Sequence, residues 1–260
     1  MVAGINLRIE NIIIKGKYFF RKEDKALYRV TVLIFVFLLL FPLSVGAEND
    51  INHLNVNVRE IDEVKMVGLR SLGEELDWGV EFLPKKKAVR LLGQDAILEM
   101  EAGNEEFFGR ELAQAPVIDE GRIYVSLDDV NILLEEMKVE DPPQVFTSMS
   151  LDSLEFDKGD TVSGKMVLYN IDDEDLTLEF ASGQDYDLLL YKEGKQVWKL
   201  SEGKMYTMAI QTENLSGGES LVFEFEFESE EDLEPGIYEL RGVITTRNKI
   251  EAGSVGIEVK

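Results

Sequence analysis

Between Leu54 and Val139 the apolar positions change period several times. Leu69, Leu72 and Leu76 recur at helical spacing across VGLRSLGEELDW, which predicts a helix. AVRLLG and AILEMEA then read as two short strands joined by a turn at Gly93-Gln94-Asp95. RIYVSLDDVNILLEEM predicts a strand running into a second helix. Ser126 with Asp129 three residues on forms a capping box, and Val130, Leu133, Leu134 and Met137 make the apolar face. The two strand–helix pieces are a weak internal repeat. Met66–Leu76 aligns with Tyr124–Leu134 through Val67/Val125, Leu69/Leu127, Leu72/Val130 and Leu76/Leu134. Each copy reads as a strand end, a two-residue turn and a helix. The matched positions are apolar, so what repeats is core packing.

Asp141-Pro142-Pro143, within Glu140–Gln144, predicts a stiff linker, because a residue before proline is pushed toward extended geometry. After it the period becomes two. DTVSGKMVLYN, DLTLEF, YDLLLYK, KQVWKLS, ESLVFEFEFE, GIYELRGVITT and SVGIEVK are short strands separated by polar turn clusters. Phe223, Phe225 and Phe227 alternate with Glu224, Glu226 and Glu228, giving one apolar and one charged face. Such spacing predicts an immunoglobulin-like β-sandwich over residues 145–260. The expected fold is thus mixed and two-domain: a small α+β domain over 54–139, the linker at 140–144, then the all-β sandwich.

The N-terminus follows a different logic. Basic residues end at Arg29, VTVLIFVFLLLF follows without a charge, and VGA at Val45–Ala47 offers a small-residue cleavage site. Residues 1–47 are therefore read as a secretory signal peptide, with an uncleaved membrane anchor as the alternative. Residues 1–47 hold 7 basic and 3 acidic residues of the chain's 27 and 51, leaving 20 and 48 and a formal net charge of −28 for the exported part. A chain this acidic repels nucleic acid and anionic lipid. No nucleic-acid partner is expected, and contact with a membrane only through the N-terminal segment if it is retained.

Candidate chemistry is sparse. The chain has no cysteine and a single histidine, His53, read as an exposed residue of a polar lead-in. Thiolate or His-cluster metal sites, cysteine nucleophiles and a Ser-His-Asp triad are thereby excluded or made poor readings. No metal or other cofactor is expected, and no enzyme. Asp172 to Asp175 are oxygen-rich but lack the ligand spacing of an EF-hand loop, so they read as a solvated hairpin tip.

Two resemblances follow from quoted motifs. MVGLRSLGEELDWGVEF, KAVRLL and APVIDEGRIYVSLDDVNILLEE resemble the copper amine oxidase-like N-terminal domain of secreted bacterial proteins, with Gly68 and Ser126 where that family has proline. The resemblance implies an extracellular or envelope-associated module. It brings no copper chemistry, because region 54–139 has no histidine and no Asn-Tyr-Asp/Glu sequence. The second resemblance is carried by a strand ending at Asn170, then Gly183-Gln184-Asp185-Tyr186-Asp187, Val197-Trp198 with Ser201, Gly218-Glu219, and Pro235-Gly236 with Tyr238. These resemble the BsuPI-type intracellular proteinase inhibitor domain, with Phe227 where tryptophan is expected and an acidic insertion, ESEEDLE, before Pro235.

The resemblance implies a non-catalytic binding protein acting on a subtilisin-type serine protease through a sandwich loop, and the N-terminal segment, against the intracellular setting of that family, makes it a secreted one. The expected contact residues are Lys204, Met205 and Tyr206, directly after a glycine turn, with Gln184 and Tyr186. The bland alternative for Met205 and Tyr206 is that they begin the next strand, one of them facing the core. The alternative function is an envelope module that holds cell-wall polysaccharide.

Overall fold

The computed structural model describes residues 51–94, 96–229 and 233–260. The segment read as signal peptide or anchor lies outside the described residues. So do Asp95 of the first turn and residues 230–232 of the acidic insertion. Strands make up 53% of the described residues and helix 8%, so the protein is mostly β-sheet.

In chain order the first part contains β1 (His53–Asn55), β2 (Val58–Ile61), β3 (Val64–Gly68), helix α1 (Leu69–Glu75), β4 (Gly79–Leu83), β5 (Ala88–Leu92) and β6 (Ile97–Glu101). There follow β7 (Glu106–Phe107), β8 (Arg110–Glu111), β9 (Val117–Asp119), β10 (Arg122–Ser126) and helix α2 (Val130–Glu136). They form a β2-β3-β10-β9 sheet, a β4-β5-β6 sheet and the β7-β8 hairpin. The apolar face expected of α2 is buried at Val130, Leu133 and Leu134 and continues at Met137.

The internal repeat acquires a geometric meaning. β3 and β10 pair antiparallel with Val67 opposite Val125, so the two copies lie side by side and the matched valines are both fully buried. Two local expectations are corrected. α1 begins at Leu69 directly after β3, with Gly68 as its N-cap, so the first copy has no two-residue turn. The reciprocal capping box at Ser126 and Asp129 is not formed either. Ser126 Oγ accepts the Asp128 N–H at 3.2 Å, while the buried Asp129 carboxylate accepts the N–H groups of Ala113 at 2.8 Å and Gln114 at 3.2 Å. A buried carboxylate takes the donors that most need an acceptor, and these lie on a loop distant in sequence.

The second part continues with β11 (Val145–Leu151), β12 (Glu155–Phe156), β13 (Thr161–Asn170), β14 (Leu176–Phe180), β15 (Tyr186–Lys192), β16 (Lys195–Lys199) and β17 (Gln211–Leu215). β18 (Ser220–Glu228), β19 (Gly236–Ile244) and β20 (Ile250–Val259) complete it. One layer is β1-β11-β13-β18, the other β12-β20-β19-β15-β16, and β14 and β17 form a separate two-stranded ladder. Met166, Leu168, Phe223 and Phe225 from the first layer meet Leu188, Leu190, Tyr238 and Leu240 from the second in one core. As the alternation requires, Phe223 and Phe225 are buried while Glu224 and Glu226 are exposed. Gly164 in β13 is obligatory for this packing. A Cβ there would lie 2.3 Å from the Ser150 carbonyl of β11 and 2.8 Å from the Phe225 ring.

The chain also bonds across the expected border at 140–144. β1 pairs in parallel with β11, so the half-buried His53 is a strand residue and not an exposed lead-in. Asn52 O accepts the Gln144 N–H at 2.9 Å, and Asn52 Nδ2 donates to the Asp141 carbonyl at 2.9 Å. Phe146, Val167, Tyr169 and Ile171 of the second part belong to the apolar cluster of the first. The described residues from Ile51 to Lys260 accordingly fall in one compact unit.

Candidate functional site

Of the residues that carry the second resemblance, Gly183, Asp187, Trp198 and Ser201 border the connection between β16 and β17. β15 and β16 form a hairpin, with a bulge at Leu190/Tyr191. β17 does not extend it. β17 pairs with β14 instead, so the chain from Leu200 to Ile210 must leave one sheet and travel to another ladder. The next strand starts only at Gln211, so Met205 and Tyr206 do not begin it.

Two anchors hold this connection. The first is Asp187, on β15 and only 4% exposed. Its Oδ1 accepts the N–H groups of Leu188 and Ser201, each at 3.1 Å. Its Oδ2 accepts the Ser201 hydroxyl at 2.7 Å and pairs with Lys199 Nζ at 3.1 Å. One buried carboxylate thus ties the exit of β16 to the start of β15. From Ser201 the chain makes a turn, closed by Lys204 N–H on Ser201 O at 3.1 Å, with Gly203 at φ +71°.

The second anchor is Gly183, whose N–H donates to Thr207 O at 2.9 Å. The approach is close enough that a Cβ at Gly183 would lie 2.4 Å from Thr207 Oγ1. The surrounding turn is itself fixed. Gln184 Nε2 donates to Tyr186 O at 3.0 Å, and Thr245 N–H donates to Asp185 O at 3.0 Å. Gly183→Ala is expected to lower stability by about 1–2 kcal/mol. Adding Thr207→Ala removes the colliding oxygen and is expected to restore most of it. Urea unfolding of the two single variants and the double variant measures that coupling, and purely additive effects would contradict the contact.

Between the anchors the chain presents Lys204, Met205 and Tyr206. Met205 is 97% exposed, Lys204 is exposed and Tyr206 is half-buried. Past Thr207 the exposed apolar surface continues with Met208 at 90% and Ile210. The alternative in which Met205 starts a strand is thus corrected: it belongs to no ladder. Tyr186 lies half-buried beside this segment, its ring 6.2 Å from Phe223 and 6.5 Å from Phe225. Its phenol is pushed up from the ordinary tyrosine range, first by burial and then by the neighbouring Tyr206 and Asp185. All five residues expected to make contact, Gln184, Tyr186, Lys204, Met205 and Tyr206, thereby fall within one neighbourhood. Gln184 and Tyr186 support it, and Met205 is its most exposed point.

Asp187, Ser201 and Thr207 were not among the expected site residues, although the first two stand inside the motifs. Their signal was the short polar residue at each end of an otherwise apolar piece. Met208 and Ile210 were missed because their spacing imitates a strand.

The other polar clusters serve turns. Asn170 Nδ2 donates to Glu174 O at 2.8 Å and Leu215 O at 3.0 Å, so the side chain that ends β13 shapes the Asp172–Asp175 tip. Among the described residues no group of three or more histidine, aspartate or glutamate side chains is placed to hold a metal ion.

Residues 149–249 match the family model BsuPI: Intracellular proteinase inhibitor. The BsuPI match contains both anchors, the Lys204–Tyr206 segment, β15, β16 and β18, and it covers less than half of the chain. No curated protein sequence matches. Among solved structures, Spo0M, a sporulation control protein from Bacillus subtilis, is 14% identical with a TM-score of 0.32, over 46% of this chain and 50% of that one. The alkylpurine DNA glycosylase AlkC of Pseudomonas fluorescens is 12% identical with a TM-score of 0.31, over 45% and 30%. A β-glucosidase from Listeria innocua is 19% identical with a TM-score of 0.28, over 44% and 16%. This chain spans half or less of the length of each of these structures, and the similarities carry nothing about its function.

Proposed function

We propose that the protein is an exported, non-catalytic, proteinase-inhibitor-like binding protein that acts on a subtilisin-type serine protease through the segment Lys204–Tyr206. The observation that supports this reading most is a segment fixed at both ends, at Ser201 by Asp187 and at Thr207 by Gly183, with a large apolar side chain at 97% exposure between them. An extended segment entering a protease cleft adds as a strand, with backbone bonds giving affinity and one side chain filling a pocket. Fixing both ends lowers the conformational entropy lost on binding. The match of residues 149–249 to BsuPI supports a protease as the partner.

The test is a panel of subtilisin-type proteases assayed with residues 48–260. That whole span is used because Phe146 and Tyr169 share their core with the first region. Stoichiometric inhibition and a complex on gel filtration are expected for at least one protease; neither with any protease would overturn the reading. Export belongs to the same proposal, with cleavage after Ala47, and N-terminal sequencing of protein from the medium should begin at Glu48. Retention of the full chain in membranes would favour the anchor instead.

A second reading is an envelope module for cell-wall polysaccharide, within which the two-domain division at 140–144 and the copper amine oxidase-like resemblance also stand as proposals. It is favoured by a cleft of about 650 Å³ between β2, α1 and the outer face of β11 and β13. Asn55, Asn57, Ser71, Ser148 and Ser150 line it with amide and hydroxyl groups suited to sugar hydroxyls. Retention of residues 48–260 on purified cell walls, competed by soluble wall fragments, is its expected result.

A further inference from the structure

We infer that Met205 and Met208 are a site of oxidation by peroxides, and that the sulfoxide formed at Met205 switches off partner binding; the switch, though not the site, rests on the function proposed above. The chain has eight methionines and no cysteine. A thiolate takes up a peroxide oxygen readily; in a chain without one, the methionine thioether is the sulfur left to oxidise. Among the described methionines the fold draws a sharp division. Met66, Met100, Met137 and Met166 are buried, and Met149 is half-buried against the core of the sandwich. Met205 and Met208 are the exposed ones among the described residues, at 97% and 90%. A buried sulfur meets a solute only when its surroundings open, whereas these two are open to every encounter. Both stand between the turn at Gly203 and the start of β17.

The step balances without help from the protein. A lone pair on the methionine sulfur attacks one oxygen of hydrogen peroxide. An S–O bond forms, the O–O bond breaks, and the proton of the transferred oxygen passes to the departing one, which leaves as water. Sulfur is oxidised from thioether to sulfoxide and the peroxide is reduced. A thiol-dependent methionine sulfoxide reductase reverses the change: two thiols become a disulfide and the oxygen leaves as water. The consequences for fold and for binding differ. Met205 belongs to no ladder and stands in solvent, so a sulfoxide there stays hydrated and leaves the folded chain undisturbed. In an apolar pocket of a partner the same S=O group would lose its water and find no donor. The exposure that leaves Met205 free to be buried by a partner also opens it to peroxide.

The site and the switch are tested separately. Residues 48–260 are treated with hydrogen peroxide under native conditions, the excess is removed with catalase, and the peptides are read by mass spectrometry with fragmentation. Met205 and Met208 are expected to gain one oxygen each at least about 10-fold faster than Met66, Met100, Met137 and Met166. Similar rates for the buried four would overturn the site. For a protease found to be inhibited, the oxidised protein is expected to inhibit at least about 10-fold more weakly with its thermal unfolding unchanged. Methionine sulfoxide reductase with dithiothreitol is expected to restore the inhibition. The inhibition constant of Met205→Leu, whatever its own value, is expected to shift by less than about 2-fold on the same treatment. Unchanged inhibition by protein fully oxidised at Met205, or an equal loss in Met205→Leu, would overturn the switch. An empty protease panel would remove the proposed function and the switch with it, and the peptide map would still decide the site.

Discussion

Asp187→Ala is expected to lower the unfolding free energy by about 3 kcal/mol, one of the largest effects of any polar substitution in this chain. Its carboxylate is nearly sealed from solvent and answers three donors, the N–H groups of Leu188 and Ser201 and the Ser201 hydroxyl, besides pairing with Lys199. Alanine leaves the two N–H groups and the hydroxyl without their acceptor, and an unsatisfied buried donor costs more than a lost bond between exposed groups. Two companion variants isolate the cause. Ser201→Ala removes one partner and should cost about 1 kcal/mol. Asp187→Asn keeps the shape and one acceptor oxygen, and should fall between the other two. Urea denaturation measures all three, and a loss for Asp187→Ala no larger than that for Ser201→Ala would mean that the carboxylate is not the anchor. The same variant should weaken protease inhibition beyond its effect on stability at temperatures where it remains folded, because a released segment must be ordered on binding.

Met205→Glu is expected to weaken inhibition about 100-fold, equivalent to about 2.7 kcal/mol, with stability changed by less than about 0.5 kcal/mol. The two expectations have one origin. A side chain that is 97% exposed contributes almost nothing to the folded chain, and it can bury all of its apolar surface in a partner. Glutamate would carry a charge into an apolar specificity pocket, where it finds no partner. Lys204→Ala, one residue earlier, should have a much smaller effect, as expected of a rim position. The inhibition constants of purified variants whose thermal unfolding matches that of the parent give the answer. A Met205→Glu protein that inhibits as well as the parent would show that this side chain does not enter the protease.

The anchors also explain why the recognisable motif and the proposed contact point differ. Gly183, Gln184 and Asp187 are recognisable as a motif because geometry constrains them: a close approach, a turn and a buried acceptor. Met205 is free of such constraint and is legible only as an apolar residue after a glycine. The motif reports the mount more than the tip.

How far the pattern could be read varies element by element. Val130, Leu133, Leu134 and Met137 announce a helix with one buried face, and Phe223 and Phe225 announce a strand, because period is a local consequence of backbone geometry. β17 was silent. In QTENL only Leu215 is buried, and the strand exists because its backbone completes a ladder with β14. The polar lead-in around His53 was silent for the same reason, since β1 is defined by its pairing with β11. At Ser126 and Asp129 the local rule named a plausible bond, and a more demanding pair of donors on Ala113 and Gln114 won the carboxylate.

The sequence by itself determined that the chain is rich in alternating strands, strongly acidic and without cysteine, and that Gly183 to Asp187 and Trp198 to Ser201 belong to one recognisable motif. These properties follow from residue identity and short-range period. Only the tertiary structure decided that the two ends of the Met205 segment are fastened, that Met205 stands in solvent, and that Trp198 meets Phe227 beside it. Each of these joins residues from strands distant along the chain or from different layers, and no local pattern encodes which distant backbone group a buried acceptor or an aromatic ring will find.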